Sequence, residues 1–239
     1  MRGVRGQQLT PGEFRRTQNW IGPPGCSLND ATFVPPPPDR LLDGLSDFEK
    51  FLHQASSLPP IVRMAMIHYQ FEALHPFLDC NGRIGRLLVT LLLCAEGVLP
   101  DPLLYLSAYF EQHRDEYYTR LLSVSTHARW TEWLVYFLRG VTEQSMDAVD
   151  RASRLIDLRS SLHQRMRSAR LSALLLKLID ALFNLPAVTV ASAARLLDVT
   201  PRAANMSIQK LVQAGVLTEV TGNRRNRVWI ADEIRSVSD

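Results

Sequence analysis

The chain has 239 residues, 46% of them hydrophobic, and a formal net charge of +3. That is enough to bury a core and to make about two domains, while so small a net charge excludes little. Three cysteines without paired spacing, no signal-peptide pattern and no membrane-length apolar run exclude a disulfide scaffold and a membrane span. They predict a reducing, cytoplasmic setting.

In chain order, the proline run 35–38 comes first. Prolines stiffen such a segment and cannot continue a sheet. Leu45 to Gln54 reads as a helix. Pro59-Pro60 opens a second, which runs through Ile67 and Phe71 and delivers His75 at its C-terminal end. Ile84 to Gly97 reads as a helix that is apolar on all faces, expected at the centre of a bundle. Its apolar run, Leu87 to Ala95, is too short to cross a bilayer. Pro100 and Pro102 break the chain before a helix over Tyr105 to Leu122. Trp130 to Leu138 supplies another, with Trp133, Tyr136 and Phe137 assigned to the core. Residues 151–170 carry six Arg against one Asp and contain no Gly or Pro, so they read as a connecting helix. Helices over Leu171–Leu185, Ala191–Leu197 and Pro201–Ala214 follow, the last with Thr200 as N-cap and Gly215 as its stop. Strands are expected at Val216–Val220 and Arg227–Ile230, around a Thr-Gly-Asn-Arg-Arg-Asn turn. There are no internal repeats.

The informative stretch is 75–86, His-Pro-Phe-Leu-Asp-Cys-Asn-Gly-Arg-Ile-Gly-Arg. Taken singly, His-Pro-Phe is ordinarily a helix end with a core aromatic, and Asn-Gly-Arg a surface turn. In this order, and running into an apolar helix, they carry chemistry. A glycine-bearing turn at a helix N-terminus presents unpaired N–H groups and positive dipole, which suits a phosphate. Arg83 and Arg86 are three apart, so both face one anion from the first turn. Asp79 is a hard oxygen donor of the kind Mg²⁺ takes while phosphates and water fill its other positions. His75 is the one group here whose ordinary pKa suits proton abstraction near neutrality. Cys80 lacks a second suitably spaced His for nucleophilic catalysis. His68 and His75 lie seven apart with no Cys pair, which leaves a zinc reading weak.

The segment resembles the signature of the Fic family, His-x-Phe-x-(Asp/Glu)-Gly-Asn-Gly-Arg-x-x-Arg, most of whose members move AMP from ATP onto a protein hydroxyl. The resemblance implies that His75 deprotonates a target Ser, Thr or Tyr hydroxyl and that Asp79 holds Mg²⁺. It implies further that Cys80, Asn81 and Gly82 line the anion hole and that Arg83 and Arg86 bind the phosphate tail. Gly12-Glu13-Phe14-Arg15-Arg16 and Asn19-Trp20-Ile21-Gly22 resemble the family's opening segment. Phe33, Val34 and Pro35 resemble the end of its β-hairpin flap, where an extended target strand adds. His113 stands where many relatives carry asparagine, a candidate nucleotide contact. The family's glycine before the asparagine is Cys80 here. Were positive φ required there, a non-glycine costs about 1–2 kcal/mol. An alternative reading follows: a catalytically weakened Fic core that serves as a DNA- or protein-binding regulatory module.

An inhibitory (Ser/Thr)-x-x-x-Glu-(Gly/Asn) helix, frequent in the family, has no match. Ser107 to Gln112 has the spacing but ends in glutamine. The expectation is a chain without its N-terminal brake, constitutively active unless Cys80 weakens it. Three helices and a hairpin at the C-terminus resemble a winged helix-turn-helix. Arg202 and Asn205 would lie on its recognition helix and Arg224 and Arg225 on its wing. Residues 151–239 hold 14 basic and 7 acidic side chains, but 171–239 only 8 and 6, a weak phosphate footprint. Protein contact or homodimerisation is therefore favoured over DNA. The expected whole is mainly α: a Fic helical bundle with flap over 1–145, an Arg-rich connecting helix over 146–170 and a winged helix over 171–239. Its expected partners are ATP and a hydroxyl-bearing protein, the chain itself included, and not a membrane.

Overall fold

The structure, a computed structural model, describes residues 12–168 and 173–238 and is mainly helical. It divides into two compact units, Met1–Met146 and Asp147–Asp239. Among the described residues no helix is long and apolar enough to cross a membrane.

The first unit is a helical bundle. Helix α1 (Pro38–His53) begins seven residues earlier than the sequence suggests. The last proline of the run occupies its first position, where a missing N–H costs nothing. Helix α2 (Pro60–Leu74) opens the same way on Pro60 and ends at His75, which caps it in the left-handed region at φ 47°. Nine of its fifteen residues are buried, from Arg63 to Leu74. It, rather than α3 (Asn81–Ala95), is the centre of the bundle. Helix α3 buries Asn81, Gly85, Val89 and Leu93 but leaves Leu87 and Leu91 exposed. The expectation that α3 is buried all round is thus corrected: a run of leucines is indifferent to which face meets water, and only one side has a partner.

The helix expected over Tyr105–Leu122 is two, α4 (Leu106–Gln112) and α5 (Arg114–His127), broken at His113. Helix α6 (Trp130–Ser168) runs without interruption through the stretches read as a short helix and a separate connector. Its first turns give Trp133, Tyr136 and Phe137 to the first core, as expected. Trp133 donates its indole N–H to the carbonyl of Ala65 at 2.9 Å, so this large ring also satisfies its polar handle.

The flap is smaller than expected. Ile21 and Phe33 form an isolated antiparallel bridge (Ile21 N–H to Phe33 O 2.9 Å, Phe33 N–H to Ile21 O 3.0 Å) instead of a hairpin of two strands. Pro23, Pro24 and Pro35 to Pro38 flank the bridge, and without N–H donors they cannot extend a ladder.

In the second unit, α7 (Ala173–Leu182), β1 (Ala187–Val188), α8 (Val190–Leu197), α9 (Pro201–Gln213), β2 (Thr218–Glu219), β3 (Trp229–Ile230) and α10 (Asp232–Ser238) enclose one core. Leu171 and Ser172, expected to begin the first of these helices, lie outside the described residues. Thr200 caps α9 by accepting the Ala203 N–H at 3.3 Å. Thr189 and Ser192 form a reciprocal capping box on α8. The sheet is antiparallel with order β1-β3-β2; β1 and α10 were not foreseen. Residues Leu162 and Met166 of α6 are buried in this core together with Trp229 and Leu211.

Candidate functional site

Helices α2 and α3 cross closely because Gly85 has no side chain. A Cβ there would strike the Glu72 carboxylate and lie 3.0 Å from Phe71 Cδ1. The turn between them, residues 75–80, carries the motif. Two backbone positions in it lie in the left-handed region, His75 and Cys80, at φ 47° and 72°. The strain foreseen for Cys80 is therefore present. Its thiol receives a hydrogen bond from the Arg83 guanidinium, and its N–H donates to Asp79 Oδ1 at 2.6 Å.

What pins this turn is a set of polar side chains buried under it. Asn81, 2% exposed, accepts the Phe77 N–H at 2.9 Å and donates to the Phe77 carbonyl at 2.8 Å. Its side chain therefore fastens the loop and is not offered to an anion. Only its backbone N–H, with those of Gly82 and Arg83 in the first turn of α3, remains for that purpose. Arg15, 3% exposed, donates Nε to the His75 carbonyl at 2.9 Å and Nη2 to the carbonyls of Pro36 and Leu74. Asn19 adds a bond to the Phe77 carbonyl at 3.1 Å.

The turn opens onto a cavity of about 590 Å³. His75, Gly82 and Arg86 of the motif line it, with Glu72 of α2, Ile21 and Phe33 of the bridge, and Arg114, Tyr117 and Tyr118 of α5. The His75 ring is held by Nδ1, which donates to the Glu72 carbonyl at 3.2 Å. A carbonyl only accepts, so Nδ1 carries the proton and Nε2 is the basic nitrogen. Burial lowers the His75 pKa, and the Arg15 charge adds to that; the Glu72 carbonyl and Asp79 oppose it. The imidazole is thus neutral and ready to take a proton at neutral pH. Arg86 is oriented by its Nε, which donates to Ser107 Oγ at 3.0 Å.

Other expected residues sit apart from the cavity wall. Asp79 is exposed on the turn, its Oδ2 3.9 Å from Arg83, and Arg83 is half exposed. Of the flap residues, Phe33 lines the cavity, whereas Val34 and Pro35 do not. His113 is not among the residues lining this cavity: its Nδ1 bonds the Tyr109 carbonyl at 3.1 Å and its ring lies 4.4 Å from that of Tyr109, at the α4–α5 junction. The neighbouring Arg114 and Tyr118 face the cavity in its place, the cation 5.8 Å from the ring.

Residues 2–93 match the family model of the Fic/DOC family. The chain carries a Fic domain. Over 138 residues, 57% of the chain, it is 34% identical to a protein adenylyltransferase Fic of Drosophila grimshawi and 35% identical to one of Culex quinquefasciatus. The chain spans about a quarter of the length of each of these curated relatives. A crystal structure of a Fic family protein from Desulfovibrio desulfuricans is similar in fold, with a TM-score of 0.53 at 20% identity, covering 92% of this chain and 62% of that one.

Sequence reasoning missed Glu72, Ser107 and Arg15, which line the cavity or hold the groups around it. Glu72 was the most accessible of the three: it lies three residues before His75, one turn away on the same helix face. On the second unit, Arg202, Asn205, Arg224 and Arg225 are all exposed, the last two in the turn 221–226. That turn is shaped by Glu219, whose carboxylate accepts the N–H groups of Thr221 and Gly222, each at 3.0 Å.

Proposed function

We propose that the Fic domain transfers AMP from ATP to a hydroxyl side chain of a protein. The observation that carries this reading is the His75 ring, oriented through Nδ1 and lining a cavity whose wall continues into Gly82 and Arg86 at the N-terminus of α3. The names of the relatives point the same way. His75 Nε2 takes the proton of the target hydroxyl as its oxygen bonds to the α-phosphorus, and pyrophosphate leaves. The N–H groups opening α3 and the Arg86 guanidinium hold the phosphate oxygens, so that positioning and charge neutralisation do most of the work. Ile21 and Phe33, whose backbone groups pair with each other, line the cavity where the target segment would lie.

Mg²⁺ fits Asp79. This carboxylate is exposed beside the α3 N-terminus, next to the groups that would hold the phosphates. Phosphate oxygens and water would complete its shell, and the ion would neutralise phosphate charge. Incubation with labelled ATP and candidate targets, with His75→Ala as control, tests the reading. Label that survives the alanine substitution removes His75 as the base.

One observation favours a second reading. Cys80 holds φ 72° with a Cβ where a glycine would be unstrained. A weakened core would leave the chain a regulatory module. In that reading the second unit is a winged helix whose exposed Arg202, Asn205, Arg224 and Arg225 meet DNA or a protein, or whose surface pairs two copies. Gel shift on random duplex at low salt, and sedimentation, separate these outcomes.

A further inference from the structure

We infer that Glu72 is the second half of the Arg86 anion site, and that a polyphosphate bound there is accompanied by uptake of one proton on the Glu72 carboxylate.

The carboxylate is buried, 8% exposed, and it lines the cavity. Its Oε1 has no hydrogen-bond partner, which is costly for a charged oxygen. It lies against Gly85, where a Cβ would strike it and also meet Phe71 Cδ1 at 3.0 Å. The Arg86 guanidinium stands across a short gap. A Cβ placed on Gly82 would lie 3.2 Å from Arg86 Nη1 and 3.9 Å from Glu72 Oε1, so one methyl-sized space borders both groups. Gly82 also belongs to the helix N-terminus that offers N–H groups to an anion. A phosphate drawn to these donors and to Arg86 therefore arrives beside an unpartnered carboxylate.

Two like charges cannot share that space at low cost. In the anion-free protein the Arg86 charge favours the ionised carboxylate, opposing burial, and the balance puts the Glu72 pKa at about 7. A bound phosphate cancels the Arg86 charge and adds its own negative charge, so both changes favour the protonated acid. The other titratable groups facing Glu72 do not compensate. Tyr117 on α5 is buried, and its hydroxyl pairs with His68 Nε2 at 2.9 Å. Burial holds His68 neutral, down to about 4. His75, whose Nδ1 is tied to the Glu72 backbone carbonyl, is pushed to the neutral form as well, and Arg15 is turned to four backbone carbonyls. Glu72, unpartnered at Oε1 and balanced at about 7, is the group assigned the proton. Protonated, it offers an O–H to a phosphate oxygen and becomes a donor where it had been a repellent group.

This inference rests on the cavity taking a polyphosphate, but not on the transfer of AMP. The test is calorimetric titration with inorganic tripolyphosphate and with α,β-methylene-ATP, which cannot give up its AMP. The measurement is made near pH 8 in buffers of different ionisation enthalpy. The native protein is expected to take up close to one proton per ligand and to lose up to about tenfold in affinity per pH unit above neutrality. Glu72→Gln, which keeps the shape and can donate from its amide, is expected to bind more tightly at pH 8 with proton uptake abolished. Buffer-independent binding by the native protein overturns the inference, even if the variant does not fold. Equal proton uptake by the two proteins, or no binding by either, overturns it too. Proton-linked binding without AMP transfer sinks only the enzymatic reading. Transfer accompanied by buffer-independent binding sinks only this one.

Discussion

Asn81 closes a ring on the backbone of Phe77, accepting from its N–H at 2.9 Å and donating to its carbonyl at 2.8 Å. Asn81→Asp keeps the acceptor and loses the donor, leaving a carboxylate oxygen against the Phe77 carbonyl. The expected cost is about 1–3 kcal/mol of stability, read from urea unfolding, with activity lost before the fold is. A variant as stable as the native protein would show that the ring is dispensable.

His75 is expected to show its lowered pKa in the rate. The base works when neutral, so at saturating ATP transfer rises with pH through a value below the ordinary 6.5 of histidine and then levels off. His75→Ala should lose about 10²–10⁴-fold in rate while still binding α,β-methylene-ATP. A rise centred above 6.5 would mean that burial does not govern this ring.

Cys80→Gly removes the strain of a side chain at φ 72°. Relief of about 1–2 kcal/mol is partly offset by the freedom glycine regains in the unfolded chain, so a net gain of about 1 kcal/mol is expected, visible as a higher Tm. Cys80→Ala keeps the strain and loses the thiol's bond from Arg83, so it should not gain. ATP-dependent labelling by the glycine variant, compared with the native chain, decides whether the cysteine is tolerated or has weakened the site.

Glu72 also links stability to pH. Its folded pKa of about 7 stands above the ordinary value of 4.5, so the folded state binds more protons between those limits. Stability contributed by this group therefore falls as pH rises from about 4.5 through 7, by a few kcal/mol at most. Glu72→Gln should flatten that fall, and the variant should melt above the native protein at pH 8. Parallel melting curves across the range would contradict it.

Gly85→Ala puts a Cβ into the Glu72 carboxylate and against Phe71 at the α2–α3 crossing. The helices must part, at a cost of about 1–3 kcal/mol. Thermal unfolding measures it, and an unchanged Tm would show slack at the crossing.

The chemistry of the site was legible in the sequence where it depended on local spacing. Glycine in a turn, arginines three apart and a histidine at a helix end are all short-range facts. Roles set by distant partners were not. The amide of Asn81 reads as a turn residue or an anion donor until Phe77 is seen to use both ends of it. The break at His113 carries no glycine or proline, so the helical period runs straight through it. Pro38 read as the end of the stiff run that follows the flap, although its position suits the start of α1. In the second unit, caps at Thr200 and Thr189 follow from residue type, while β1, two residues long, is too brief for alternation to reveal.

Arg15 lies sixty positions before the carbonyl its Nε grips, and its guanidinium joins Pro36, Leu74 and His75 at once. No segment between 60 and 90 carries the information to shape the turn by itself. Helices α2 and α3 are neighbours in sequence, but their connection is completed by contacts about sixty positions upstream. A single proteolytic cut between Arg15 and Pro36 would strike the reactive turn as surely as a cut within it, though every residue of the motif stayed in place.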